Sequence, residues 1–226
     1  MCPENTKMSL FSEIFFLFQK EVVLEWRRKY AISGILLYVL STVFIVYVSS
    51  AEVSPELWNV LFWIIMVFSS VNAVAKSFSQ EGGARELYQY TLLSPLAVLA
   101  SKVLYNFILL IVMNTLIIVS FSFVAGHPVE DTGMFASVVG LGCFGFGVAL
   151  TFISAIAAKT RNGAIFMAIL SFPVIIPMLM VLVRTSSAAL GLQDGGTAGS
   201  QMTILIGIDL VLLGLAMVLF PYLWRD

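Results

Sequence analysis

Residues 103–125 read VLYNFILLIVMNTLIIVSFSFVA, without one charged side chain. A helix needs about 20 apolar residues to cross a hydrocarbon core about 30 Å thick, and this stretch meets that length. Working outward, five more stretches do the same, at 32–48, 57–75, 132–158, 164–183 and 202–222. The expected fold is therefore all-α: a polytopic membrane protein with six transmembrane helices in a single domain spanning 1–226. A buried helix of a large soluble protein can imitate one such stretch, but the polar chain left over here is too short to cover six. Composition agrees, with 60% hydrophobic and 11% charged residues and a mean hydropathy of +1.00, far from the balance of a soluble domain.

Lysine and arginine set the orientation, because loops kept in the cytoplasm carry an excess of them. The N-terminal segment has Lys7, Lys20, Arg27, Arg28 and Lys29. The second loop has Lys76, Arg85 and Lys102, the fourth has Lys159 and Arg161, and the C-terminus has Arg225. The opposite loops offer only Arg184, beside Glu52, Glu56, Glu130, Asp131 and Asp194. Both termini are expected in the cytoplasm, as an even number of crossings requires. No basic tail suited to nucleic acid is present. The region up to Tyr30 mixes acids, bases and aromatics, unlike a cleavable signal peptide, and is expected to be retained.

Residues 8–30 have the pattern of an interfacial amphipathic helix. Phe11, Ile14, Phe15, Phe18 and Val22 share one side and Ser9, Ser12, Glu13 and Lys20 the other. A solvated basic flank that only fixes topology is the alternative.

The longest internal loop, 76–102, reads KSFSQEGGARELYQYTLLSPLAVLASK. Gly82 and Gly83 each cost a helix roughly 1 kcal/mol relative to alanine, so the helix leaving the second span should break there. A short cytoplasmic helix then fits 84–93. Ser94 suits an N-cap and Pro95 the first helical position, so a new helix should start at this pair. A short helix between two breaks is well placed to be gripped from below; a plain connecting loop is the alternative.

Within the spans, GLGCFGFG at 140–147 fits a dinucleotide fingerprint only by accident. It lies in an apolar span with no preceding strand and reads as close helix packing. Pro173 and Pro177 in FPVIIP should kink or interrupt the fifth span near mid-membrane, lining a pathway or marking a mobile part. Asp209 is the one acid expected inside a span, near its outer end, where solvation or a local hydrogen bond would satisfy it. His127 reads as an exposed turn residue. Cys2 and Cys143 lack neighbours at metal-ligand spacing and read as inert, so no metal site is expected. The segment 185–201 reads as a flexible external loop.

Three segments together, EVVLEWRRK at 21–29, QEGGARELYQYTLLSPL at 80–96 and FPVIIPMLM at 172–180, resemble the haem exporter protein B (CcmB) family. These are the permease subunits of the bacterial cytochrome c biogenesis ABC transporter, and the resemblance covers nearly the whole chain. Its most specific series is Glu81, Gly82, Glu86, Leu87, Leu93, Ser94 and Pro95, a version of which is shared across ABC-2 type export permeases. The Pro173 and Pro177 pair narrows the resemblance to the haem exporters. The chain departs from the family loop in placing Gly83, Ala84 and Arg85 before the second acid, Glu86.

The resemblance implies a permease domain in the bacterial inner membrane, worked by an ATP-binding cassette subunit and paired with a second copy of the permease. It also implies a haem-handling membrane partner and a periplasmic haem chaperone. No GxxxxGK[ST] sequence is present, so ATP would be bound and hydrolysed on the partner and this chain would not be catalytic. Glu81, Arg85, Glu86, Leu87 and Tyr88 would dock that partner, with Gly82 and Gly83 as the bend and Ser94 and Pro95 as the restart. No cofactor is expected to be bound directly; haem is a possible substrate, without a CxxCH motif or axial ligand pair here to hold it. An ABC-2 permease exporting a lipid, drug or polysaccharide, or a scaffold with no transport role, would share much of this pattern.

Overall fold

The structure is a computed structural model that describes residues 10–27, 30–49, 53–75, 78, 94–160, 162–192 and 198–225. Seven helices occur among them: α1 (Leu10–Arg27), α2 (Tyr30–Ser49), α3 (Pro55–Val74), α4 (Pro95–Ala125), α5 (Thr132–Ala158), α6 (Gly163–Ala189) and α7 (Ala198–Arg225). The described residues contain no strand. Five helices, α3 to α7, are long and apolar enough to cross a membrane. The remaining expected crossing, 32–48, coincides with α2, many of whose side chains lie outside the described residues.

Local chemistry starts the helices. Ser54 caps α3 by accepting from Leu57 N at 3.3 Å ahead of Pro55, and Asp131 caps α5 by accepting from Met134 N at 2.9 Å. Gly126, with φ +80, turns the chain out of α4 where a side chain would be strained.

α5 is the hub, packing on α3, α4, α6 and α7, and it is the most deeply buried of the five spanning helices. Three of its glycines, Gly142, Gly145 and Gly147, spare room for neighbouring helices. A Cβ on Gly142 would lie 3.1 Å from the Trp63 ring of α3 and 3.2 Å from Leu182 of α6. One on Gly145 would run into Asp209 of α7 and Met178 of α6, and one on Gly147 would lie 3.6 Å from the Phe107 backbone of α4. Gly140 faces open space. Trp58, Phe62, Trp63, Phe121 and Phe135 form a contiguous aromatic core at the end of the bundle that holds the 126–131 turn.

Polar side chains inside the bundle pair across helices, as burial in an apolar medium demands. The Trp63 indole donates to Ser186 Oγ at 2.8 Å, the Ser186 hydroxyl reaches Asn59 Oδ1 at 2.7 Å, and Asn59 Nδ2 donates to Val183 O at 3.0 Å. Asn106 of α4 donates to Thr151 of α5 at 2.7 Å, and Asn114 to Cys143 Sγ at 3.2 Å.

The expected external loop 185–201 is largely helical instead. α6 continues to Ala189 and α7 begins at Ala198, leaving 193–197 outside the described residues. Thr185, Ser186 and Ser187 prolong α6 because their hydroxyls bond back to the carbonyls of Val181, Leu182 and Val183, a helical alternative to exposure. Arg184 accordingly stands exposed on a helix rather than in a loop.

Candidate functional site

Residues 79–93, which hold most of the 81–95 segment expected to meet a partner, lie outside the described residues, and with them Glu81, Gly82, Gly83, Arg85, Glu86, Leu87 and Tyr88. The residues on either side of 79–93 are described. Phe78 leads into it, and Ser94 with Pro95 closes it by starting α4, as the cap-and-proline pattern requires.

Ser94 does not cap its own helix through its side chain. Its backbone N–H donates to Glu13 Oε1 at 2.8 Å and its hydroxyl to Glu13 Oε2 at 3.1 Å, so a carboxylate from α1 stands at the N-terminus of α4. That position favours an anion, because unsatisfied backbone donors and the positive end of the helix dipole meet there. Two turns further on, Lys102 Nζ donates to Glu21 Oε1 at 3.4 Å and lies 4.6 Å from the Phe78 ring centroid. The Lys102 side chain is only 2% exposed and that of Glu21 15%. Lys102 is therefore not the loop cation that the charge count supposes. It belongs to α4 and is held inside the protein by an acid and an aromatic face.

Apolar contacts complete this corner. Leu17 of α1 packs with Ala97 and Val98 of α4, flanked by Ile14, Phe78 and Trp224. Phe220 of α7 lies 5.9 Å from Phe78. The beginning of α4, the chain just past α3, the end of α7 and α1 thus meet at one end of the bundle. The side of α1 turned inward carries Glu13, Leu17 and Glu21, while Phe15, Phe16, Val22 and Val23 are exposed. The side expected to be solvated supplies Glu13 to the protein instead.

The intramembrane residues fall elsewhere. α6 continues as one helix through Pro173 and Pro177, without the interruption that was one of the two expected outcomes, and both prolines are exposed on the single chain. Both lie on the outward stripe of Phe166, Ile169, Phe172, Ile176 and Met180, where freed carbonyls do not disturb the packed side. Asp209 is 3% exposed and faces Gly145 and Met178. Those residues lie at the middles of α5 and α6, so Asp209 sits at mid-bundle, not near the outer rim. Neither of its oxygens has a hydrogen-bond partner among the described residues. His127 is exposed at the 126–131 turn, with Nδ1 3.1 Å from Ser122 Oγ. Among the described residues no three of His, Cys, Asp and Glu gather as metal ligands would.

The sequence reading placed Glu13 on the solvated side of α1 and gave Glu21 no role. Their signal was a shared spacing: Glu13 to Glu21 and Ser94 to Lys102 are both eight residues apart.

A family model described as CcmB protein matches residues 12–222 of the chain. No curated protein and no solved structure matches it.

Proposed function

Because this chain belongs to the CcmB protein family, the membrane component of a haem exporter for cytochrome c biogenesis, we propose that it is the permease subunit of an ATP-driven complex in the bacterial inner membrane. It is a multi-pass membrane protein and a transporter permease, not a catalytic enzyme. In this reading α2 completes six crossings, both termini are cytoplasmic, and two permease copies are worked by two ATP-binding subunits. A haem-handling membrane partner and a periplasmic chaperone receive the output. Haem is the substrate of the complex, and ATP is held by the partner subunit.

The observation that supports this best is the placement of the two ends of 79–93. Phe78 and Ser94 both pack at the end of the bundle that also holds α1 and the end of α7. A segment that leaves and re-enters at one such corner, with Glu81, Arg85, Glu86, Leu87 and Tyr88 in it, is suited to receive a push from an ATP-binding partner. Binding-driven closure of that partner then shifts the population of membrane-helix arrangements. Pro173 and Pro177 give α6 the freedom to take part.

The test is a double variant, Glu86→Lys with Leu87→Asp, which reverses one charge and puts another where an apolar anchor is expected. Expressed at the parental level, it should lose recovery of the ATP-binding subunit on pull-down and lose cytochrome c maturation. Full recovery together with full maturation would rule out docking at this segment.

A further inference from the structure

α1 and the start of α4 are matched at two points with one constant offset. Glu13 meets Ser94 and Glu21 meets Lys102, each pair separated by 81 residues in sequence. The two helices therefore run in the same direction and stay in register over eight residues, about 12 Å of helix. Leu17, midway between the two acids, is buried against Ala97 and Val98. A single polar contact would leave a pivot. Two contacts on either side of a packed apolar centre fix both axial position and angle.

Both ends of the 79–93 segment are tied to this seam. Its far end is Ser94, held by Glu13 through backbone and hydroxyl alike. Its near end is Phe78, whose ring lies against the Lys102 ammonium and beside the α1–α4 apolar contact. Lys102 is fully buried, and a buried charge does not slide from its counter-ion without a large desolvation penalty. The seam is thus stiff where the segment enters and where it leaves.

We propose that α1 acts as a register clamp, with Glu13 and Glu21 as positioning residues that make α1 and the first turns of α4 one rigid body. Displacement of 79–93 is then carried into the long α4 helix instead of being absorbed by slippage at Ser94. This rests on the reading of 79–93 as the contact for the ATP-binding subunit. Without the clamp that subunit still docks, but its stroke is lost.

The experiment uses the full chain co-expressed with its ATP-binding partner and compares two replacements of the ion pair, neither of which keeps a buried charge. Glu21→Gln with Lys102→Gln substitutes a neutral hydrogen-bonding pair. Glu21→Ala with Lys102→Met, combined with Glu13→Ala, removes the polar matches and leaves apolar packing. The first should keep near-parental maturation. The second should fold and recover the ATP-binding subunit normally, yet lose roughly tenfold in maturation, within the span of ordinary coupling between sites. Parental maturation in the second variant would overturn the clamp, and so would loss of partner recovery, which would make the seam part of the docking surface. Failure of the docking reading shows up separately, as undiminished recovery and maturation in the Glu86 and Leu87 variant.

Discussion

Alanine substituted along the glycines of α5 should produce opposite effects two residues apart. Gly140 has nothing within 4 Å of an added Cβ, so Gly140→Ala gains only helix propensity, about 1 kcal/mol or less. At Gly142 the same methyl would lie 3.1 Å from the Trp63 ring and 3.2 Å from Leu182. The ring cannot step aside: its indole N–H is committed to Ser186 at 2.8 Å, and it stands edge-on to Phe62 with centroids 5.3 Å apart. Overpacking a fixed core costs about 1–3 kcal/mol, which outweighs the propensity gain. Gly145→Ala should fall between them, because the atoms it meets are the ends of the Asp209 and Met178 side chains. For a chain of this size each kcal/mol corresponds to roughly 2–4 °C in Tm. Thermal unfolding of the purified protein in detergent should place Gly140→Ala at or above the parent and Gly142→Ala several degrees below it. Equal Tm values for the two variants would refute the reasoning, since they share chemistry and helix and differ only in what each methyl meets.

Two further outcomes are expected. Pro173→Ala with Pro177→Ala restores two backbone donors to α6, so Tm should rise; if the helix must flex for transport, maturation should fall while insertion is unchanged, and normal maturation would leave the prolines as packing features. Single cysteines at Ser50 and Asp131 should label from outside and those at Gly83 and Asn162 from the cytoplasm; labelling of Gly83 from outside intact cells would reverse the proposed orientation.

Much of the helix plan was legible because hydrophobic length is a strong signal. The stretches at 57–75, 103–125 and 132–158 each fall on a helix, and Ser94-Pro95 marks the start of α4. Helix ends were less legible. Thr185, Ser186 and Ser187 look like loop residues by composition, but their hydroxyls find partners inside the bundle and carry α6 onward. Asp209 was misplaced in depth because its distance from a loop was judged from an apparent span edge, whereas α7 already starts at Ala198 and Asp209 faces mid-helix positions. The segment proposed to dock the partner has a sequence pattern, but residues 79–93 lie outside the described residues. The seam beside it depends on two acids that hydropathy treats as surface.

The misreading of α1 has a physical cause that extends to the rest of the chain. In water, the apolar face of a helix identifies what it packs against, because burial there is the gain. In a bilayer the surroundings are as apolar as the protein interior, so apolar faces can be left outward and polar groups must seek each other inside. Ile165, Ile169 and Phe172 on α6 and Val211 and Val218 on α7 are exposed in this way, and Phe15, Phe16 and Val23 are exposed on α1, which is not one of the five spanning helices. The residues that decide which helices touch are Glu13, Glu21, Lys102, Asn59, Asn106, Asn114 and Ser186. At these positions the polar side of the helix points to its protein neighbour. The eight-residue spacing shared by Glu13–Glu21 and Ser94–Lys102 is that rule written into the sequence.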